Sequence, residues 1–174
     1  MLFAVDIGNT SIHVGFFREE EEVHTFRLGV DPKRTADEYA LLLKSLTELG
    51  GYTADRFDGA IVGSVVPSVT DNVVDAVKML LGFAPLTVGP GIKTGFPIRV
   101  DNPSELGADM AANTAAAISI VGAPAIIVDF GTATTLSVVG EDKAYLGCCI
   151  LPGRSEEHTS ESSHNVISRM PSSA

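Results

Sequence analysis

Two stretches of this sequence place an aspartate where it could handle phosphate. Residues 4–16 read AVDIGNTSIHVGF and residues 127–138 read IVDFGTATTLSV. Each is an apolar run, then Asp-apolar-Gly, a small polar cluster with Thr, and a second apolar run, with Asp6 and Asp129 at matching positions. A tight turn between two buried strands presents consecutive backbone N–H groups, and such a nest holds phosphate oxygens. Gly8 is expected to supply a backbone with φ > 0 and to admit a ligand close to the chain. Asn9 and Thr10 add donors, and Asp6 can hold Mg²⁺ through water while the metal bridges phosphates. One such turn alone reads better as a plain hairpin with an Asx turn. Two in one chain reverse that preference, because a cleft between two such domains would turn both toward one polyphosphate.

A third carboxylate, Asp109, stands in PSELGADMAANTAAA. Pro103 and Ser104 mark a helix start, which puts Asp109 one turn in, near the positive end of the helix dipole. Locally this is the place of an ordinary solvated carboxylate. Its functional reading is a base that orients a substrate hydroxyl. Phosphoryl transfer tolerates a weak base, since its loose transition state needs little deprotonation before attack. Other nucleotide motifs are missing: GPGIKTG (89–95) lacks the Gly-Lys-Ser/Thr end of a phosphate loop, and no strand–GxGxxG–helix unit occurs.

The elements that must position these residues follow from pattern. Leu2 to Asp6 and Ile12 to Phe17 are strand-like, and residues 21–30 alternate well enough for a third strand. Thr35 and Glu38 have capping-box spacing. Tyr39, Leu42, Leu43, Leu46 and Leu49 then recur at helical spacing until Gly50-Gly51. GAIVGSVVP (59–67) reads as a buried parallel strand, residues 71–81 as an amphipathic helix, and PLTVG (85–89) as a short strand. After a Gly/Pro loop, a helix is expected from Ser104 to about Ser119. AIIVDFGTA, TLSVVG and AYLGCCILPG then begin the three-strand meander again. The expected fold is α/β: two copies of a domain with a mixed sheet flanked by helices, the second copy stopping after its third strand. The expected boundaries are 1–103 for the first domain and 104–153 for the incomplete second.

Composition bounds the partners. The chain has 174 residues, 45% of them hydrophobic, and a formal net charge of −10. An acidic chain argues against nucleic acid or an anionic membrane surface as partner, though local N–H nests still bind phosphate. The apolar stretch from Ala111 to Val128 is broken by Asn113, Thr114, Ser119, Gly122 and Pro124, and reads as helix, turn and strand rather than a membrane span. Adjacent Cys148 and Cys149 suit neither a disulfide nor a metal site, and with no signal peptide visible the expected compartment is the cytoplasm. From Arg154 the text becomes polar and serine-rich. Its RSEEHTSE and SRMPSSA segments resemble a translated sequencing adapter, so residues 154–174, with His158 and His164, are set aside as non-native.

The ordered set VDIGNT, RTADEY, VGPGIKTG, DNPSELGAD, VDFGTATT and LGCCILPG resembles the type III pantothenate kinases over residues 1–153. That family belongs to the superfamily of acetate and sugar kinases, Hsp70 and actin, so the resemblance implies duplicated ribonuclease H-like (actin-like ATPase) domains. It implies transfer of the ATP γ-phosphate to the primary hydroxyl of pantothenate, the first step of coenzyme A synthesis, in a homodimer. Asp6, Ile7, Gly8, Asn9, Thr10, Ser11, Ile12 and His13 would form the first ATP-phosphate loop, with Thr132 a further ATP contact. Asp109 would accept the proton, and Gly107, Ala108, Asp109 and Met110, with Val100, would line the pantothenate site. Mg²⁺ would accompany the nucleotide, and Asp129 would bind a monovalent cation, K⁺ or NH₄⁺. The chain departs from the family pattern at Met110, commonly Arg, and at Val100, often aromatic. The family also continues for about another domain's worth of helix and strand, so the chain as written is expected to be inactive. The alternatives are another small-molecule kinase of the superfamily and a non-catalytic ATP-binding regulator.

Overall fold

The computed structural model describes residues 1–89, 91–103 and 106–153. The set-aside tail, with His158 and His164, lies outside the described residues, and so does Ser104. The chain divides into two compact units after Gly89.

The first unit runs β1 (Leu2–Ile7), β2 (Ser11–Arg18), β3 (Glu21–Gly29), α1 (Ala36–Leu49), a short 3₁₀ turn (Ala54–Arg56), β4 (Gly59–Ser64), α2 (Pro67–Leu81) and β5 (Leu86–Val88). Its five strands lie in the order β3-β2-β1-β4-β5. The first three pair antiparallel, whereas β4 runs parallel to β1 and β5 parallel to β4. This is the mixed, helix-flanked sheet expected of the ribonuclease H-like fold.

Strand periodicity decides what points where. Phe3, Val5 and Ile7 of β1 and Ile12, Val14 and Phe16 of β2 are buried. They pack with Tyr39 and Leu43 of α1 and Val69, Val73 and Val77 of α2 in one core. Phe3, Phe16 and Phe57 pack there in tilted and edge-to-face pairs with ring centroids 4.9–5.2 Å apart. The capping box holds α1 at its start: the Thr35 hydroxyl accepts from the Glu38 N–H at 3.3 Å, and the Glu38 carboxylate accepts from the Thr35 N–H at 2.7 Å. The helix face differs from expectation. Tyr39, Leu43 and Thr47 form the buried line, and Leu49 stands exposed where α1 ends. Helix α2 begins four residues earlier than the pattern suggests. Pro67, read as the end of β4, takes the first helical turn instead, where its fixed φ and missing N–H are tolerated.

The second unit contains α3 (Ala108–Ile120), β6 (Ala125–Phe130), β7 (Ala133–Val139) and β8 (Tyr145–Pro152). The strands form an antiparallel meander. The preceding loop joins it: the Arg99 N–H donates to the Tyr145 carbonyl and the Tyr145 N–H to the Pro97 carbonyl, both at 2.8 Å. Helix α3 starts after Gly107 rather than near Ser104. Residues 106 and 107 are not helical, and the turn before the helix is closed by the Leu106 N–H on the Pro103 carbonyl at 3.3 Å.

Aligning Asp129 on Asp6 places Ile126, Val128 and Phe130 at the positions of Phe3, Val5 and Ile7. The first set is 70%, 46% and 74% exposed; the second is 0–3% exposed. In the first unit this face carries α1 and α2; in the second it is open among the described residues. The same substitution should therefore have opposite effects at equivalent positions. Phe3→Lys puts an unpaired charge in a packed core and should cost about 4 kcal/mol or more, unfolding the first unit. Ile126→Lys should leave the thermal midpoint of the 174-residue chain nearly unchanged and raise its soluble yield. Circular dichroism melts and soluble fractions of the two variants check this, and equal losses of stability would contradict it.

Candidate active site

The first turn is closed by the Gly8 N–H donating to the Ser11 carbonyl at 3.0 Å, and the second by the Gly131 N–H donating to the Ala133 carbonyl at 3.0 Å. Asp6 pairs across the sheet with His13 and Asp129 with Thr135, so the second connection is one residue shorter. Gly8 does not have the positive φ expected of it. Its glycine answers to space: a Cβ there would stand 3.3 Å from the Ser11 carbonyl oxygen, and one on Gly131 would stand 3.3 Å from that of Ala133. A side chain at either position would crowd the carbonyl that closes the turn.

Asp6 lies on the face of the first sheet opposite the core and is exposed, as are Asn9, Thr10 and His13. Its cross-strand neighbours are His13 on β2 and Gly63 on β4, the latter adding no side chain above the sheet. Ser11 is buried, with its hydroxyl 3.1 Å from Nε2 of His13, and Ile7 and Ile12 belong to the core beneath the turn. In the first unit the structure thus brings residues 6–13 to one sheet end, with Asp6, Asn9, Thr10 and His13 exposed and Ile7, Ser11 and Ile12 buried.

In the second unit α3 lies against the sheet face that carries Asp129. Asn113 Nδ2 donates to Asp129 Oδ2 at 3.0 Å. Asp109, in the first turn of α3, accepts the Met110 N–H through Oδ1 at 2.8 Å. No side chain at the N-cap residue Gly107 does this, so Asp109 itself covers a free N–H of the helix start. Gly107 also leaves room for it, because a Cβ there would lie 2.5 Å from Asp109 Oδ1. Ala108 is buried under the helix. Met110 turns toward the sheet, where the Tyr145 hydroxyl donates to its sulfur at 3.6 Å. Burial pushes the Tyr145 phenol far above its ordinary range, with Cys148 and the Asp109 carboxylate adding to the rise, so it stays a neutral donor. Val100 sits two residues past the Ile98–Tyr145 bridge, half-buried. Thr132 is exposed in the β6–β7 turn, whose backbone is pressed by Gly153: a Cβ on Gly153 would collide with the Thr132 carbonyl.

Sequence reasoning missed Asn113 and Tyr145. Asn113 was legible in principle, since it stands four residues after Asp109 and shares its helix face. Tyr145 carried no local signal. Among the described residues no three His, Cys, Asp or Glu side chains gather as a metal cage. No described helix is long and apolar enough to cross a membrane. A groove of about 590 Å³ lined by Leu41, Lys44, Tyr52 and Met79 among others contains none of the residues named for the chemistry.

A profile of the type III pantothenate kinase family matches residues 2–159. The type III pantothenate kinase of Moorella thermoacetica is 44% identical over 153 residues, and that of Halalkalibacterium halodurans 42%. Each alignment covers 88% of this chain and 60% of the relative, so the chain spans about three-fifths of their length. The solved Ppx/GppA phosphatase (type II variant) of Aquifex aeolicus superposes with a TM-score of 0.50 at 13% identity, over 87% of this chain and 51% of that one, a likeness of fold alone. With both turns, the Asp109 helix and the β6–β8 meander inside the matched residues, the chain belongs to the type III pantothenate kinase family.

Proposed function

We propose that the enzyme of this chain phosphorylates pantothenate with ATP, giving 4′-phosphopantothenate for coenzyme A synthesis. Family membership across residues that include Asp6, Asp109 and Asp129 carries this reading. In it, residues 6–13 hold ATP phosphate through turn N–H groups and the hydroxyls of Thr10 and Ser11, and Thr132 adds a contact from the second turn. Asp109, held at the start of α3 by the Met110 N–H, orients the pantothenate hydroxyl and accepts its proton as the phosphoryl group moves. Gly107, Ala108, Met110 and Val100 line the pantothenate side. With a thioether at 110 engaged by Tyr145, the substrate carboxylate lacks the two-pronged grip that an Arg would give there. Mg²⁺, when bound, supplies charge neutralisation at the phosphates, with Asp6 its water-mediated anchor. Asp129 is the residue for a monovalent cation, K⁺ or NH₄⁺. A cytoplasmic homodimer is part of the same reading, as are a first domain spanning 1–103 and a second starting at 104.

An enzyme of the relatives' full length should phosphorylate pantothenate in an ATP-coupled assay and leave sugars and acetate untouched. Preference for a sugar or for acetate would replace pantothenate as substrate. Asp109→Asn should lower kcat by at least about 100-fold, the lower bound for a positioned general base, with ATP binding by calorimetry unchanged. Asp129→Ala should abolish the thermal-midpoint rise given by K⁺ over Na⁺, and a retained rise would remove Asp129 from the cation site.

A further inference from the structure

We propose that Asn113 is a positioning residue for this reaction, fastening the Asp129 carboxylate to the helix that carries Asp109. The inference rests on the proposed role of Asp109. Asn113 and Asp109 stand one helical turn apart on α3 and so share a face. The Asn113 amide donates to Asp129 Oδ2 at 3.0 Å, linking α3 to the last residues of β6, directly before the turn at Gly131 and Thr132. Among the described residues few other side-chain hydrogen bonds tie this helix to the sheet. Its buried face is made of the small residues Ala108 and Ala111 with Thr114, whose Oγ1 has no partner among the described residues. Among the described residues the sheet adds a soft contact, the Tyr145 hydroxyl donating to the Met110 sulfur at 3.6 Å. A helix resting on alanines packs through little interdigitation, and one well-formed hydrogen bond to a carboxylate then sets its position along the sheet. Asn is suited to this place: it donates without adding charge, whereas Asp would set two carboxylates against each other.

The test compares Asn113→Ala and Asn113→Asp with wild type and Asp109→Asn in the enzyme of full length. Both Asn113 variants should lose about 10- to 100-fold in kcat, as loss of a supporting hydrogen bond does. KM for ATP and for pantothenate should stay within about threefold, since no substrate contact is removed. The Asp variant keeps the side-chain shape, so it decides the matter if the Ala variant fails to fold. Wild-type kcat in Asn113→Asp, alongside an inactive Asp109→Asn, would overturn this inference alone. Wild-type kcat in both would overturn it together with the role of Asp109. A loss confined to KM would also overturn it, because it would make Asn113 a binding contact.

Discussion

The alternation of β1 is the constraint on which the first unit depends. Phe3, Val5 and Ile7 are fully or almost fully buried beneath α1 and α2, and burying each is worth about 1.5–3 kcal/mol. With a period of two, Asp6 has no choice but the opposite face. A slip of one residue would drive its carboxylate into the core and expose three large apolar side chains, so the register is fixed with a margin comparable to the stability of a small domain. The turn at Gly8 inherits that register. Its N–H reaches the Ser11 carbonyl only because Ile7 and Ile12 lie directly opposite each other. The position of the candidate phosphate turn is thus a consequence of hydrophobic packing on the far side of the sheet.

The second unit uses the same strand pattern with its faces occupied differently. Ile126, Val128 and Phe130 repeat the apolar set and stand open, while the face bearing Asp129 is engaged by α3 through Asn113 and through Met110 against Tyr145. In the first unit the aspartate face is the exposed one. The repeat therefore conserves where the aspartate sits on its strand without conserving what covers it.

How much of this could be read beforehand depended on whether the signal was local. The strands, the Thr35–Glu38 capping box and the parallel β4 were legible because period and capping are set within a few residues. The start of α2 was misplaced because Val65 and Val66 continue an apolar run, while Pro67 serves as a helix start as well as a strand end. The start of α3 was misplaced for a similar reason: Pro103 signals a turn, but the helix waits for Gly107, whose lack of a side chain makes room for the Asp109 carboxylate. Gly8 does not take the positive φ expected of it; its closing hydrogen bond to Ser11 is a spatial relation that sequence does not display. Tyr145 stayed invisible because its meaning comes from a bridge to Ile98 and a contact with Met110, both far away in sequence.

These differences bear on why the two aspartates need not do the same work. Asp6 has His13 and Gly63 as cross-strand neighbours on an open face, beside a connection with room for Asn9, Thr10 and Ser11. Asp129 has one oxygen committed to Asn113, a connection shorter by one residue, and Gly153 packed against the Thr132 backbone. In the first arrangement Asp6, Asn9 and Thr10 are exposed and Ser11 is buried. The second has one carboxylate oxygen taken up by an amide donor from α3. The two turns share a strand pattern, while a connection one residue shorter and one asparagine on a neighbouring helix give the second aspartate different surroundings.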